Sequence, residues 1–177
     1  LMDVLADGLR RQNPLVDALP DVPLRVHASY SLDELMAAFG VVRSGKIYRP
    51  RGQGVWWEKS CRADLLFITL DKTAQDYSPT TLYDDYPLSV RKFHWESQNS
   101  TTPQSSAGKR YVEGTSTPLL FVRARKKNAR GGTMPYLFLG PASLLSFEGE
   151  RPMRIVWRLE HDMPAGWYKG VKVAAGA

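Results

Sequence analysis

Between Ser89 and Tyr111 the chain reads SVRKFHWESQNSTTPQSSAGKRY, a stretch whose side chains suit gripping a phosphate backbone and reading the edge of a base. Phe93 and Trp95 alternate with Lys92, His94 and Glu96, the period of two expected of a strand with one buried face and one available face. Gln98, Asn99, Ser100, Thr101 and Thr102 follow. These side chains donate and accept hydrogen bonds without adding negative charge. His94, Gln98 and Asn99 are therefore candidates for base edges, where amides pair well with adenine. Lys92, Lys109 and Arg110 are candidates for phosphates, which position a protein on nucleic acid without reading its sequence.

The charge distribution extends this reading. The formal net charge is +6 over 177 residues. From Tyr86 to Phe147 nine Lys and Arg face only Glu96 and Glu113, so the middle of the chain carries the whole excess. Between Gly114 and Phe147 there is no Asp or Glu, while Arg123, Arg125, Lys126, Lys127 and Arg130 fall within eight positions. Such a field attracts polyanions, and each phosphate neutralised adds affinity through counterion release. These five side chains join the candidate phosphate contacts. A solvated hairpin tip is the bland alternative.

Catalytic signatures are scarce. His94-Trp95-Glu96 has the H-x-E spacing of zinc deaminases, but a chain with the single cysteine Cys61 cannot supply the paired cysteines of that site. No H-E-x-x-H, G-x-S-x-G or G-x-x-x-x-G-K-[ST] motif occurs. Glu58-Lys59, Asp71-Lys72 and Asp84-Asp85 could be imagined as the acids of a metal-dependent nuclease, with Asp64 as a further carboxylate. Their spacing is that of ordinary turns. His27 and His161 are isolated in sequence and read as structural residues, and Cys61 as a small, partly buried thiol. No cofactor or metal is expected. The lone cysteine, and the lack of both a signal-peptide pattern and a long apolar span, point to a reducing cytoplasm and to no membrane.

Aromatic residues supply stacking candidates. Trp56 and Trp57 point to opposite faces of any strand that holds them, so one belongs to the core and the other could stack on a base. Tyr77, Tyr83 and Tyr86 flank Ser78-Pro79-Thr80-Thr81, a turn segment, with hydroxyls able to reach phosphate. Trp57 and Tyr83 join His94, Gln98 and Asn99 as recognition candidates.

The elements that must position these groups follow from periodicity and turn residues. Met2 to Gln12 has loose helical spacing ended by Pro14, Pro20 and Pro23, so residues 1–22 read as a helix and linker from an upstream region. A start at Leu1 points to a piece of a longer chain. Residues 23–177 read as one domain. Ser31 and Glu34 form a capping-box signal before the apolar stripe Leu32, Leu35, Met36 and Phe39, which predicts a helix over Ser31–Phe39. Short apolar runs then predict strands at Val55–Trp57, Ala63–Leu70, Val90–Glu96, Arg110–Glu113, Leu119–Arg125, Tyr136–Leu139, Leu144–Phe147 and Met153–Leu159. In the last, Met153, Ile155, Trp157 and Leu159 should face inward, and Arg154, Val156, Arg158 and Glu160 should face solvent or ligand. The fold class expected is α+β, mainly antiparallel β, a barrel-like or strongly bent sheet with short flanking helices.

Five blocks carry a more specific resemblance: Leu66–Lys72, Tyr77–Tyr86, Phe93–Asn99, Gly108–Tyr111 and Gly149–Met153. Occurring in this order between about Pro23 and Pro164, they resemble an uncharacterised domain found at the C-terminal end of bacterial DEAD/DEAH-box helicases, often behind a phospholipase-D-type nuclease module. That family commonly carries glutamine where this chain has Glu96. The resemblance implies an accessory domain of a restriction or phage-defence protein, with helicase and nuclease modules upstream as partners in the same chain. A basic β-rich domain without catalytic residues would then serve as a specificity domain on duplex DNA and, by analogy, as a reader of a modified base. Two rivals stand beside it: a docking module that couples helicase to nuclease, and a cryptic nuclease.

Overall fold

Ser31 opens the first helix as its sequence requires. Its hydroxyl accepts from the Glu34 backbone N–H, and the Glu34 carboxylate accepts from the Ser31 backbone N–H at 2.7 Å. This reciprocal box satisfies two of the donors that a helix start leaves open. Donation to the carboxylate by the Ser31 backbone N–H, and by the Ser31 hydroxyl at 2.8 Å, also holds the Glu34 carboxyl below its ordinary range. The computed structural model describes residues 19, 21–48, 54–71 and 84–174. The expected N-terminal helix over Met2–Gln12, and the candidates Tyr77 and Tyr83, lie outside them.

In chain order the elements are β1 (Ser29–Tyr30), α1 (Leu32–Ala38), β2 (Val42–Arg43), β3 (Lys46–Ile47), β4 (Val55–Glu58), β5 (Ala63–Asp71), β6 (Tyr86–Ser89), β7 (Lys92–Glu96), α2 (Ser106–Glu113), β8 (Thr117–Arg125), β9 (Tyr136–Glu148), β10 (Arg154–Leu159) and α3 (Ala165–Ala174). One sheet runs β4-β5-β8-β9-β10-β7-β6, with β1 added to β9, and β2 pairs only with β3. β4 and β6 do not meet, so the sheet is open and the expected barrel-like closure does not occur. All pairings are antiparallel except β5 with β8. Parallel neighbours need a long crossover. Here it comprises the β6–β7 hairpin on the far side of the sheet and α2, which returns the chain to the start of β8. Among the described residues no helix is long and apolar enough to cross a membrane.

The near-continuous apolar runs of β5 and β8 mean that both faces of this half of the sheet are buried. Leu66, Ile68, Leu120, Val122 and Leu139 face one core, which Phe93, Trp95, Ile155, Trp157 and Leu159 complete from β7 and β10, with Tyr111 from α2. Leu65, Leu119, Phe121 and Phe138 face the other, covered by Leu35 of α1 and by Leu19, Val22, Leu24 and Val26 of the segment before β1. β7 and β10 keep the strict alternation read in sequence: Phe93, Trp95, Ile155 and Trp157 are buried, while Lys92, Arg154 and Arg158 are exposed. β9 bridges the two regions. Its first half pairs with β8 up to Leu119↔Pro141, and from Ala142 onward it pairs with β10.

Two expectations change. Tyr136–Leu139 and Leu144–Phe147 are one strand of 13 residues; Gly140-Pro141 only marks where β9 changes partners. Arg110–Glu113 is the end of α2, capped by Ser105, whose hydroxyl accepts from the Gly108 N–H, and closed by Gly114 in the left-handed conformation. Glycine inside that helix obscures the pattern, because it weakens helix propensity. A Cβ on Gly108 would lie 1.9 Å from the Thr102 carbonyl oxygen, so only glycine lets the helix approach this closely.

Candidate nucleic-acid interface

The acid-free basic segment forms the hairpin that joins β8 to β9. Lys127 and Thr133 make an antiparallel bridge, and the Met134 N–H donates to the Lys126 carbonyl at 3.0 Å. At the tip the Asn128 carboxamide oxygen accepts from the N–H groups of both Arg130 and Gly132 at 2.9 Å each, while the Asn128 N–H donates to the Gly132 carbonyl. An asparagine that satisfies neighbouring backbone donors stiffens such a turn. Lys127 and Arg130 are exposed on this hairpin, Arg125 is exposed at its base, the last residue of β8 and in register with Asp71, and Lys126 is half-buried with a partner.

Arg123 is not part of that surface. Only 8 % exposed, it follows Leu119 and Phe121 at period two and turns inward with them. It donates to the Thr69 hydroxyl at 3.0 Å and the Met134 carbonyl at 3.2 Å, and stacks 4.4 Å over the Tyr136 ring. The expected phosphate contact is thus a buried tie between β5, β8 and the hairpin.

Arg110 is likewise committed. Its guanidinium donates two bonds to the Asp64 carboxylate, 2.9 and 2.7 Å long, and lies 4.1 Å over the Trp57 ring. Asp64 has no exposed surface and Arg110 keeps 18 %. The fork geometry suits a bidentate pair, and the hydrogen bond to Asp64 raises the Arg110 pKa further. Next to it the Tyr111 phenol is pushed up by burial and then by the Asp64 charge. Trp57 therefore lies against an arginine rather than standing open for a base. Asp64, the further carboxylate of the nuclease reading, has both oxygens engaged. Lys109, one residue before, is exposed on α2.

In the opening segment, Lys92 is exposed and His94 half-buried. The His94 ring stacks on Tyr86, centroids 4.7 Å apart, with Nδ1 2.7 Å from the Asp84 carbonyl oxygen. Gln98 is half-buried, Asn99 is exposed, and each has a partner. Their neighbours are structural. Ser97 is fully buried, its hydroxyl accepting from the Met153 N–H at 2.8 Å, and the Arg151 N–H donates to the Thr101 carbonyl. The Phe93–Asn99 and Gly149–Met153 blocks, far apart in sequence, therefore meet here.

Register decides which candidates can act together. β8, β9, β10 and β7 are successively antiparallel but staggered: Arg158 pairs with Ser143 while Leu119 pairs with Pro141, so Lys92 and Arg158 lie level with the start of β8, a strand length away from the basic hairpin. Lys92 and Arg158 are direct cross-strand partners and both are exposed. Gln98 and Asn99 follow the other end of β7. The amides and the hairpin are thus at opposite ends of the sheet, with His94 between them beside Val156. Toward the Gln98 end the charge is neutralised: Arg154 lies 3.4 Å from Glu96 and 3.7 Å from Glu148. The sequence reading turned Arg158 toward solvent or ligand but did not count it among the phosphate contacts, and the structure places it outward beside Lys92.

Comparison with known proteins gives a partial frame. The fold is similar to part of the crystal structure of Arabidopsis thaliana SUVH6 in complex with SAM, with a TM-score of 0.48 and 12% sequence identity, over 85% of this chain and 29% of that one. The chain thus spans under a third of that protein's length. No curated protein matches it in sequence. The profile of a domain of unknown function, DUF3427, matches residues 24–171, well over half of the chain, and the chain belongs to that family.

Proposed function

We propose that this chain is a DNA-binding module without catalytic activity of its own, gripping duplex DNA at the end of the sheet where the β8–β9 hairpin projects. The observation that carries this reading is the hairpin itself: Lys127 and Arg130 exposed on a hydrogen-bonded turn and Arg125 exposed at its base, in a stretch of sequence without a single acid. The exposed cross-strand pair Lys92 and Arg158 is a separate basic point, level with the start of β8. Three contacts at the hairpin supply sequence-independent affinity that falls steeply with salt. Recognition, including discrimination of a modified base, is assigned to the face around His94 and Tyr86. The helicase and nuclease neighbours and the bacterial restriction or defence setting rest on the resemblance of the sequence blocks alone, and the cytoplasmic setting on the lone cysteine and the lack of a signal-peptide pattern.

Binding by fluorescence anisotropy to unmodified, methylated, hydroxymethylated and phosphorothioated duplexes, and to single strands, tests the reading. Duplex binding that weakens with salt is expected, with preference for one modification if the module reads it. No binding to any of them at low salt would refute it. A docking role is the second reading, favoured by Leu88 and Val90, exposed at 41% and 37% on the β6 edge and its turn. Tight association with helicase or nuclease modules together with weak DNA binding would support it.

A further inference from the structure

The short ribbon β2–β3 stands apart from the main sheet, pairing only with itself through Val42↔Ile47 and Arg43↔Lys46. Its two turn residues, Ser44 and Gly45, have φ of 51° and 71°, the left-handed pair of a tight type I′ hairpin. Its root is fixed. The Val41 N–H donates to the Met36 carbonyl, the Tyr48 N–H donates to the Val41 carbonyl at 3.0 Å, and the Tyr48 ring packs 5.4 Å from Trp56. Beyond this root the paired side chains Val42 and Ile47 are exposed, at 53% and 43%. Two such side chains are too small a patch to require a partner by themselves, but they stand side by side at the end of a ribbon whose turn and root are both fixed.

The charge of this part of the sequence indicates the ribbon's chemistry. Between Glu34 and Glu58 the sequence has no acid and four bases, Arg43, Lys46, Arg49 and Arg51, and of these Lys46 is exposed beside Ile47. An exposed apolar pair with a cation beside it, in an acid-free basic stretch of sequence, complements a nucleic-acid groove, where apolar side chains meet sugars and base edges and cations meet the flanking phosphates. It does not complement an acid-poor, apolar protein surface, because the bases would then lose water without a partner.

We propose that the β2–β3 ribbon is a second DNA contact, a wing that enters a groove of the duplex with Val42 and Ile47 against the sugars and Lys46 at a phosphate. This rests on the DNA-binding reading above, and adds a site that the basic hairpin does not include. The test measures duplex affinity across a salt series for the intact chain, for Val42→Ser/Ile47→Ser, for Lys46→Ala and for Arg125→Ala/Lys127→Ala/Arg130→Ala. Because the ribbon residues are exposed, thermal melts should match the parent. The apolar double variant should weaken binding roughly tenfold, from the area two such side chains bury, with an unchanged salt slope. Lys46→Ala should lower the slope of log K against log salt by about 0.9. Ribbon variants that bind like the parent, while the hairpin variant loses affinity, overturn the wing alone. Absence of DNA binding by the parent overturns both readings. A parent dimer that the apolar double variant converts to monomer assigns the ribbon to a second copy of the chain instead.

Discussion

Arg110→Ala separates a structural arginine from a DNA-facing one. The change leaves the Asp64 carboxylate with no exposed surface and no guanidinium. Removing one partner of a buried ion pair costs about 3–5 kcal/mol, because the other charge stays buried uncompensated. Arg110 retains 18 % exposure, so water can partly reach the vacated position; this favours the lower end, about 3 kcal/mol. Loss of the stack over Trp57 adds about 0.5–1 kcal/mol. For a chain of this size the combined loss corresponds to a Tm lowered by about 7–16 °C. Urea unfolding should show it as a lower midpoint at unchanged slope. An apolar exchange of both partners, Asp64→Leu/Arg110→Met, should recover more than half of the loss, since no charge then remains buried. DNA affinity of the folded Arg110→Ala protein should stay within about twofold of the parent, less than the effect of losing one phosphate contact. Parent-like stability with a tenfold loss of DNA affinity would refute the reasoning and return Arg110 to the interface.

Two further outcomes follow from single positions. Alanine for glycine in a helix interior ordinarily gains about 1 kcal/mol, but Gly108→Ala would drive a Cβ into the Thr102 backbone. Calorimetry should show a loss of at least about 3 kcal/mol; a gain would mean that α2 can move away from that segment. At His27, burial first and then the neighbouring His161 hold the imidazole pKa below its usual 6.5, and its Nε2 is buried without a hydrogen-bond partner. The fold therefore favours the neutral ring. Its contribution is complete above pH 6.5 and is lost as the pH falls from there through the folded pKa. His27→Asn, which tolerates the local φ of 67°, should flatten the decline in urea midpoint between pH 7.5 and 5. An equally steep decline would place the titration elsewhere.

Local signals were legible where the residues that form a feature are neighbours in sequence. The Ser31 box, the apolar runs of β5 and β8, and the alternation of β7 and β10 all took the form their patterns implied. Partnership was not legible: nothing in Ala63–Asp71 or Thr117–Arg125 announces that these strands lie side by side and parallel, because that depends on where the crossover lands. α2 was hidden because Gly108 serves a tertiary approach against its own helix propensity. In the candidate site, the surplus of positive charge was readable but its direction was not. The inward turn of Arg123 could have been found, since it shares the parity of Leu119 and Phe121. Arg110 could not, because its partner Asp64 lies 46 residues away.

The central claim is that the β8–β9 hairpin holds DNA through its phosphates. Its most direct test is the salt dependence of duplex binding for the parent and for Arg125→Ala/Lys127→Ala/Arg130→Ala. Three lost phosphate contacts should lower the slope of log K against log salt by about 2.7, with no change in thermal stability, because all three side chains are exposed. Binding that is independent of salt, or a triple variant with the parent's slope and affinity, would contradict the account.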